Sequence, residues 1–551
     1  MTAHVSTRPD RLCPCGQRLA IVVALTALVG SVAAAAAQNG SAYFQPDNLV
    51  VSRSVYDAPP ETVQVGMPLP PDCTSGCVAA ITDGSYPSVW NNALVDVNFG
   101  ITSKIVLDQI TPSGTLLNAL DVPNSSQQGV PPTKNQLVTS FSSKSELALA
   151  LSTDGNYLTF MGYVAPVNAL DVSNANTPAI IDPTNPVTDA FYRAVAQVDQ
   201  HGTFRYTETN AYSGNNGRAV ILNNTQDANI LYTAGNAGNG GNPQPDGIII
   251  GAGAQIMTPE VKAEVAQNPG TPTPVASFNI TQLGFAPDKI GKDTNFRGLT
   301  IFHDVLYYTK GSGSNGINTV YFVDTTGHAC PSTGIGLPQS AQLPTAGLLY
   351  DPAVLQTQGL APTNMCILQG FPTALKSKTA FPFGLWFADA TTLYVADEGS
   401  GDNTYSTALG QYTKAAAQTT AGLQKWVLEA GTWTRVYTLQ AGLGLGVPYV
   451  VPGYPTGTNP ETSLPWAPAT AGLRNITGVV NGDGTATIYA VTSTVSGNGD
   501  QGADPNKLVV ITDTVGATTL PAAASFTTVR AAGYGEVLRG VSFTPGTGVT
   551  R

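Results

Sequence analysis

Short runs of alternating apolar and polar residues recur along the chain, separated by clusters of glycine, proline, asparagine and aspartate. The first run is 48–55, and similar runs cover 104–110, 116–122 and 157–163. Period-two alternation over such short lengths is typical of half-buried β-strands. The pattern therefore predicts an all-β protein built from many short strands.

One five-residue phrase occurs three times, and apolar residues follow each copy. It reads FRGLT at 296–300, LRNIT at 473–477 and LRGVS at 538–542. A phrase that returns at long intervals indicates a repeat architecture. We interpret each copy as the innermost strand of a β-propeller blade. A second phrase, a tyrosine in the next strand followed by a Gly/Ser/Asn-rich loop, supports this interpretation.

The ends of the chain predict how the ring closes. The last unit is a single strand, whereas the first strands lack an inner partner, so pairing the two ends would remove exposed sheet edges. We therefore expect one β-propeller over 38–551, with long loops at 57–90, 164–190 and 327–375. It should have six four-stranded blades, or seven if the loops hide another. The six inner strands are predicted to start at Glu146, Arg218, Arg297, Pro382, Arg474 and Arg539.

The first 37 residues have the features of a secretory signal peptide. Arg8, Arg11 and Arg18 precede an apolar run at 21–32, and small residues follow at 33–37. This order is typical of a cleaved leader and predicts a secreted or periplasmic protein. An uncleaved anchor is the alternative, although the apolar run is short for a membrane span.

Composition narrows the range of partners. The 551 residues include 25 Lys and Arg against 36 Asp and Glu, which gives a formal net charge of −11. An acidic chain without a basic run gains neither counterion release from nucleic acid nor attraction to anionic lipids. We expect no nucleic-acid partner, no membrane span after cleavage of the leader, and a monomer.

Four cysteines remain beyond the predicted leader, namely Cys73, Cys77, Cys330 and Cys366. An even number of cysteines in an exported protein indicates disulfides. Four cysteines allow three pairings, and the sequence does not choose among them. A zinc site is the rival interpretation, but the spacing lacks the usual CxxC pairs.

Several stretches resemble a widespread group of secreted bacterial β-propeller proteins of unassigned function. They lie at 48–51, 149–158, 211–216, 393–397, 422–426 and 538–543, so the resemblance spans nearly the whole chain after the leader. It implies the propeller fold and export. It carries no catalytic residue over to this chain, whose loops are longer than those of the group.

The repeat alignment predicts a cluster of positive charge. If inner strands line a central channel, then Arg218, Arg297, Arg474 and Arg539 converge at one mouth, with Glu146 among them. Guanidinium groups suit bidentate capture of carboxylate or phosphate. We expect a binding site for an anionic small molecule, an acidic sugar or a polysaccharide, or for a protein partner. The alternative is that each arginine ties its blade to a neighbour.

Other chemistry is weakly indicated. Asp397 and Asp402 lie in an acidic, glycine-containing loop that could hold Ca²⁺, although the run lacks a full calcium-loop signature and a solvated turn is the preferred interpretation. No other cofactor is predicted, and no Gly-x-Ser-x-Gly elbow presents a nucleophile. Two functions remain as alternatives to a binding module. One is a propeller lactonase or lyase with a channel metal, and the other is a structural protein of the extracellular matrix or cell surface.

Overall fold

The computed structural model describes most of the chain after the predicted signal peptide, which itself lies outside the described residues. The described residues are 42–123, 134–236, 253–263, 265, 276–277, 295–311, 317–329, 334–339, 342–345, 348–349, 364–375 and 377–548.

Four separate sheets, each starting from an inner strand, form blades of a β-propeller within the described residues. Neighbouring strands are antiparallel, except that Ile335–Gly336 runs parallel to Asn364–Leu368. From the inner strand outwards, the first blade consists of Gly217–Asn223, Ile230–Gly235, Ala254–Met257, Ala276–Ser277 and Leu348–Leu349. The second consists of Phe296–Phe302, Val305–Lys310, Thr319–Asp324, Asn364–Leu368 and Ile335–Gly336. The third consists of Pro382–Asp389, Thr392–Asp397, Gly422–Glu429 and Thr432–Leu439, and the fourth of Ala469–Val480, Thr485–Val495, Lys507–Thr514 and Thr527–Ala531.

A nine-stranded sheet completes the arrangement and contains both ends of the described chain. Its order is Phe204–Thr209, Arg193–Asp199, Tyr157–Ala165, Gln136–Ser140, Thr102–Ile110, Leu49–Val55 and Glu536–Phe543, with Leu116–Asp121 and Ala150–Leu151 attached at its sides. Leu49 lies opposite Phe543, and Val55 lies opposite Glu536. The C-terminal strand therefore pairs with an N-terminal strand, as the sequence predicted.

The predicted count of six separate blades is wrong, because the described residues form only four. Strand Gln136–Ser140 explains the difference. It pairs on one side with Thr102–Ile110 and on the other with Tyr157–Ala165. By covering two edges that would otherwise be exposed, it joins the strands of two expected blades into one sheet.

The remaining regular elements are short. Two hairpins pair Pro68–Leu69 with Val78–Ala79 and Tyr405–Ser406 with Gln411–Tyr412. Short helical segments, one α and the rest 3-10, occupy Pro60–Thr62, Ser88–Leu94, Val172–Asn174, Thr413–Ala416 and Gln501–Ala503. No helix among the described residues is long and apolar enough to cross a membrane.

The apolar core lies between neighbouring sheets. Its largest part joins the blades that begin at Gly217, Phe296 and Pro382, and aromatic residues such as Tyr308 and Phe322 are fully buried there. Aromatic side chains bury large areas and dominate such contacts. Cys73 and Cys77, which lie between the strands Leu49–Val55 and Thr102–Ile110, form a disulfide. This bond belongs to one of the three pairings of four cysteines that the sequence left open. Cys366 is also disulfide-bonded, and Cys330 lies outside the described residues.

Candidate functional site

The four repeat arginines all lie in inner strands. Arg218 and Arg297 are each the second residue of their strands, Gly217–Asn223 and Phe296–Phe302, whereas Arg539 and Arg474 lie further along Glu536–Phe543 and Ala469–Val480 than the sequence predicted. We call these four residues the arginine end of the propeller. All are buried except Arg297, whose side chain keeps 16% of its surface exposed.

Two of the arginines, Arg297 and Arg539, are followed by a glycine at which the inner strand comes very close to the backbone of a neighbouring segment. A Cβ added at Gly298 would lie 2.5 Å from the carbonyl oxygen of Phe383 on the next blade. One added at Gly540 would lie 2.2 Å from the carbonyl oxygen of Leu147. Both distances are shorter than van der Waals contact, so only glycine permits this approach. The backbones therefore crowd together beside the guanidinium groups.

A loop at 143–146 holds three of the arginines, two of them directly. Arg539 Nη1 donates to the carbonyl oxygen of Ser143, and Arg297 Nη1 donates to Ser145 Oγ. Arg218 is attached through Asn216, whose side chain accepts from Arg218 Nε at 2.9 Å and donates to Glu146 at 3.2 Å.

Glu146 itself is buried by polar partners rather than by a direct arginine contact. Its carboxylate accepts from Tyr163 Oη at 2.5 Å, from Thr139 Oγ1 at 2.6 Å and from the backbone N–H of Ser140 at 3.0 Å. The sequence placed Glu146 at an inner-strand start, but it lies in the loop before Ala150–Leu151. It therefore acts as a negative charge next to the arginines.

Glu398 is a second point of attachment, which sequence reasoning did not assign to the site. Its Oε2 lies 3.2 Å from Arg474 Nε, and its Oε1 lies 3.7 Å from Arg297 Nη2. It follows the strand Thr392–Asp397, whose last residue pairs with Pro382 at the start of an inner strand. This position brings its carboxylate to the arginine end. The sequence signal that could have indicated this role is an acidic residue directly after the second strand of a blade.

Burial and neighbouring positive charges both lower the pKa values of the guanidinium groups of Arg218 and Arg539. Burial, reinforced by Arg297, lowers the pKa of Arg218 well below its ordinary value. Burial, reinforced by Arg474, lowers the pKa of Arg539 to about 9. Burial opposes ionisation of Glu398, but Arg297 and Arg474 outweigh it and hold its pKa below the ordinary value. An additional negative charge would favour the protonated guanidiniums.

Two N–H groups of this network have no hydrogen-bond partner among the described residues. They are Arg297 Nε and Arg539 Nη2, and both atoms are buried. Buried polar groups in native proteins are nearly always hydrogen-bonded, and exceptions call for a water, an ion or a functional role. The unpartnered donors carry positive charge, which favours an anionic acceptor.

Packed loops cover the outside of the arginine end. The hydroxyl of Tyr86 donates to the carbonyl oxygen of Ala503 at 2.8 Å, and its ring packs edge-on against Phe141, which in turn stacks on Trp90. A Cβ added at Gly502 would lie 1.8 Å from the carbonyl oxygen of Ser142. The long loop expected at 57–90 thus packs against the loop after Thr485–Val495, beside Arg539.

On the other side of the arginines lies a cavity of about 1280 Å³ between the inner strands. Arg297 is the member of the arginine end that lines it. The cavity extends to the hairpin turns that follow the inner strands, where His303 and Ala390 are exposed. We call these turns the open end. From Arg297 to His303 an extended strand spans about 20 Å, so the cavity is deep.

The residues predicted to hold calcium make other contacts. The Asp397 carboxylate accepts from the backbone N–H groups of Phe381 and Gly399, both at 2.9 Å, and from Gln424 Nε2 at 3.0 Å. Burial raises the pKa of Asp397 to about 6. Asp402 accepts from the N–H of Thr404 at 2.9 Å. The part of the chain that the structure describes contains no group of three His, Cys, Asp or Glu residues placed to bind a metal.

Comparison with known proteins gives structural neighbours only. No family model matches the chain, and no curated protein matches it in sequence. Among solved structures, NanB sialidase from Streptococcus pneumoniae is similar at 8% identity over 75% of this chain and 63% of that chain, with a TM-score of 0.31. Extracellular domains 1-2 of Drosophila Semaphorin 1a are similar at 11% identity over 73% of this chain and 84% of that chain, with a TM-score of 0.25. The chain thus spans under two thirds of the sialidase.

Proposed function

We propose that this chain is an exported β-propeller that binds a small anion at its arginine end. The observation that carries the proposal is the pair of buried, unpartnered donors, Arg297 Nε and Arg539 Nη2. Four guanidinium groups are gathered there against the carboxylates of Glu146 and Glu398. Burying charge without a partner is costly, so an anion that accepts from these donors gains affinity.

The geometry of Arg297 supports access to such an anion. It is the least buried of the four arginines and lines the cavity. Its Nη2 is 3.7 Å from Glu398, which is beyond hydrogen-bond distance, so this ion pair leaves donor capacity. Arg297 is therefore the residue that we expect to meet the ligand first, with the more buried Arg539 supplying charge behind it.

The test is isothermal titration of the purified full chain with phosphate, galacturonate and 4-phenylbutyrate, at low salt because screening weakens exposed charge. We expect saturable binding of at least one of these anions. The variant Arg297→Gln should weaken it at least tenfold, the equivalent of about 1.4 kcal/mol. Arg435→Gln is the matched control, because Arg435 is exposed on an outer strand and should leave binding unchanged.

Two further measurements separate binding from folding. Arg297→Lys keeps the charge but loses the planar donor pair, so it should fall between wild type and Arg297→Gln. The melting temperature of each variant should stay close to that of wild type. Binding of none of the three anions, or equal binding by Arg297→Gln, would contradict the proposal.

A further inference from the structure

The walls of the cavity above Arg297 are chiefly apolar along their length. Phe302 and Phe387 stack with ring centroids 4.6 Å apart and planes 7° apart. Both line the cavity, together with Trp386 and the exposed Val479 and Val480. Apolar surface of this kind gains free energy when a ligand removes it from water.

Several polar groups in the same walls are already bonded to the protein. Asn481 Nδ2 donates to Thr487 Oγ1 at 3.0 Å. Asn475 Oδ1 accepts from the backbone N–H of Val541 at 2.7 Å. A sugar presents many hydroxyl groups that must exchange water for protein partners, and each failure to do so costs affinity. These walls therefore favour a ligand with an apolar body over an acidic sugar.

The two ends of the cavity differ in charge. Arg297 lies at the closed end, while Asp47, Asp304 and Asp389 line the cavity at the open end, where His303 is the neighbouring titratable ring. Carboxylates around an entrance repel ligands that carry several negative charges, and a single charge is repelled least. The open end thus selects against polyanions, whereas the closed end requires one anionic group.

From these observations we infer that the ligand is a monocarboxylate with an elongated apolar body. It enters past the hairpin turns, places its carboxylate at Arg297 and lays its body along the apolar wall that leads towards Phe302 and Phe387. The inference rests on the proposed function, because it uses the same arginine end, and it adds the chemical class and the direction of entry.

The experiment compares three probes by isothermal titration on the full chain. They are 4-phenylbutyrate, which has both features; 4-phenylbutanol, which keeps the apolar body without the charge; and galacturonate, which keeps the charge on a sugar. We expect 4-phenylbutyrate to bind at least tenfold more tightly than either of the others. Ile301→Asp, which adds a negative charge to the cavity wall, should weaken its binding at least tenfold. Val450→Asp, at a residue 87% exposed and outside the cavity, should leave binding unchanged.

The outcomes separate the two proposals. If galacturonate binds as tightly as 4-phenylbutyrate, with equal loss in Arg297→Gln, then the anion site stands and the apolar ligand class is wrong. If 4-phenylbutanol equals 4-phenylbutyrate, the carboxylate is not anchored at Arg297 and this inference is also wrong. If neither phosphate nor either carboxylate binds, the proposed function itself fails.

Discussion

Two of the places where the protein buries charged side chains satisfy them in opposite ways. Between two blades, Lys425 and Asp513 are both fully buried, with Nζ and Oδ2 3.1 Å apart. The ammonium also donates to Tyr437 Oη at 2.9 Å and to the carbonyl oxygen of Thr514 at 2.6 Å. Asp513 accepts from Tyr394 Oη at 2.6 Å. One charge of each sign is present, and the three ammonium hydrogens have three acceptors.

At the arginine end the positive charges are in excess, and not every buried donor has a hydrogen-bond partner among the described residues. Four guanidiniums share it with the carboxylates of Glu146 and Glu398, with Asp500 also acting on Arg474 and Arg539, and two of its buried N–H groups have no partner in the described part of the chain. A balanced buried pair with complete hydrogen bonds is what a structural tie requires. An excess of one sign with spare donors is what a ligand site requires. The comparison therefore separates a tie between blades from a candidate site, and substitutions can test that separation.

The largest effect is expected from Lys425→Met. It leaves Asp513 as a buried carboxylate without its counter-charge, and removing one partner of a buried pair typically costs about 3–5 kcal/mol. Urea denaturation should show this loss in the free energy of unfolding. Lys414→Met, at an exposed lysine, is the control and should change stability little. The double variant Lys425→Met/Asp513→Asn should regain at least half of the loss, since it removes both charges. A single variant as stable as the control would contradict the assignment of this pair as a tie.

A smaller effect is expected from Glu398→Gln, which removes the carboxylate shared by Arg297 and Arg474. Charged hydrogen bonds contribute about 1.5–3 kcal/mol, so stability at pH 7 should fall by about 2 kcal/mol. The effect should depend on pH. Because the folded pKa of Glu398 is depressed, its contribution is present above its unfolded value and is lost as pH falls through the folded one.

The urea midpoints of wild type and Glu398→Gln should therefore converge as the solution is acidified from pH 7 to about pH 3. Glu429→Gln, at an exposed glutamate at the end of the strand Gly422–Glu429, should show no comparable convergence. Midpoints that keep a constant separation over this range would mean that the Glu398 carboxylate does not stabilise the arginine end through its charge.

The contrast between the two regions also shows which parts of the structure sequence patterns can predict. Alternation and the repeated phrase predicted the inner strands of Arg297, Arg474 and Arg539, and the leftover strands predicted the pairing of Leu49–Val55 with Glu536–Phe543. These features depend on local periodicity and on covering sheet edges. The sequence also placed each arginine at the start of its strand, which holds for Arg218 and Arg297, whereas Arg474 and Arg539 lie further along theirs.

The sequence patterns could not predict the side-chain contacts between blades. Glu398 meets Arg474 across 76 positions of the chain, and Lys425 meets Asp513 across 88. Neither pair repeats, so no period reveals it. Strand Gln136–Ser140, which joined two expected blades, was missed because it carries no repeat phrase. Each of these features is set by tertiary packing rather than by local propensity.

The smallest effect on stability is expected from Arg297→Gln. The variant loses the hydrogen bond to Ser145, worth about 1 kcal/mol, and the 3.7 Å ion pair with Glu398, which keeps its closer partner Arg474. It also removes a positive charge that opposes the protonated form of Arg218. The losses and the gain partly offset each other, so the free energy of unfolding should stay within about 1 kcal/mol of wild type in urea denaturation, as for Arg435→Gln. This near-neutral result has to coincide with the loss of anion binding. If Arg297→Gln instead lost as much stability as Lys425→Met, then Arg297 would be a tie between blades like Lys425, and the distinction between the two regions would collapse.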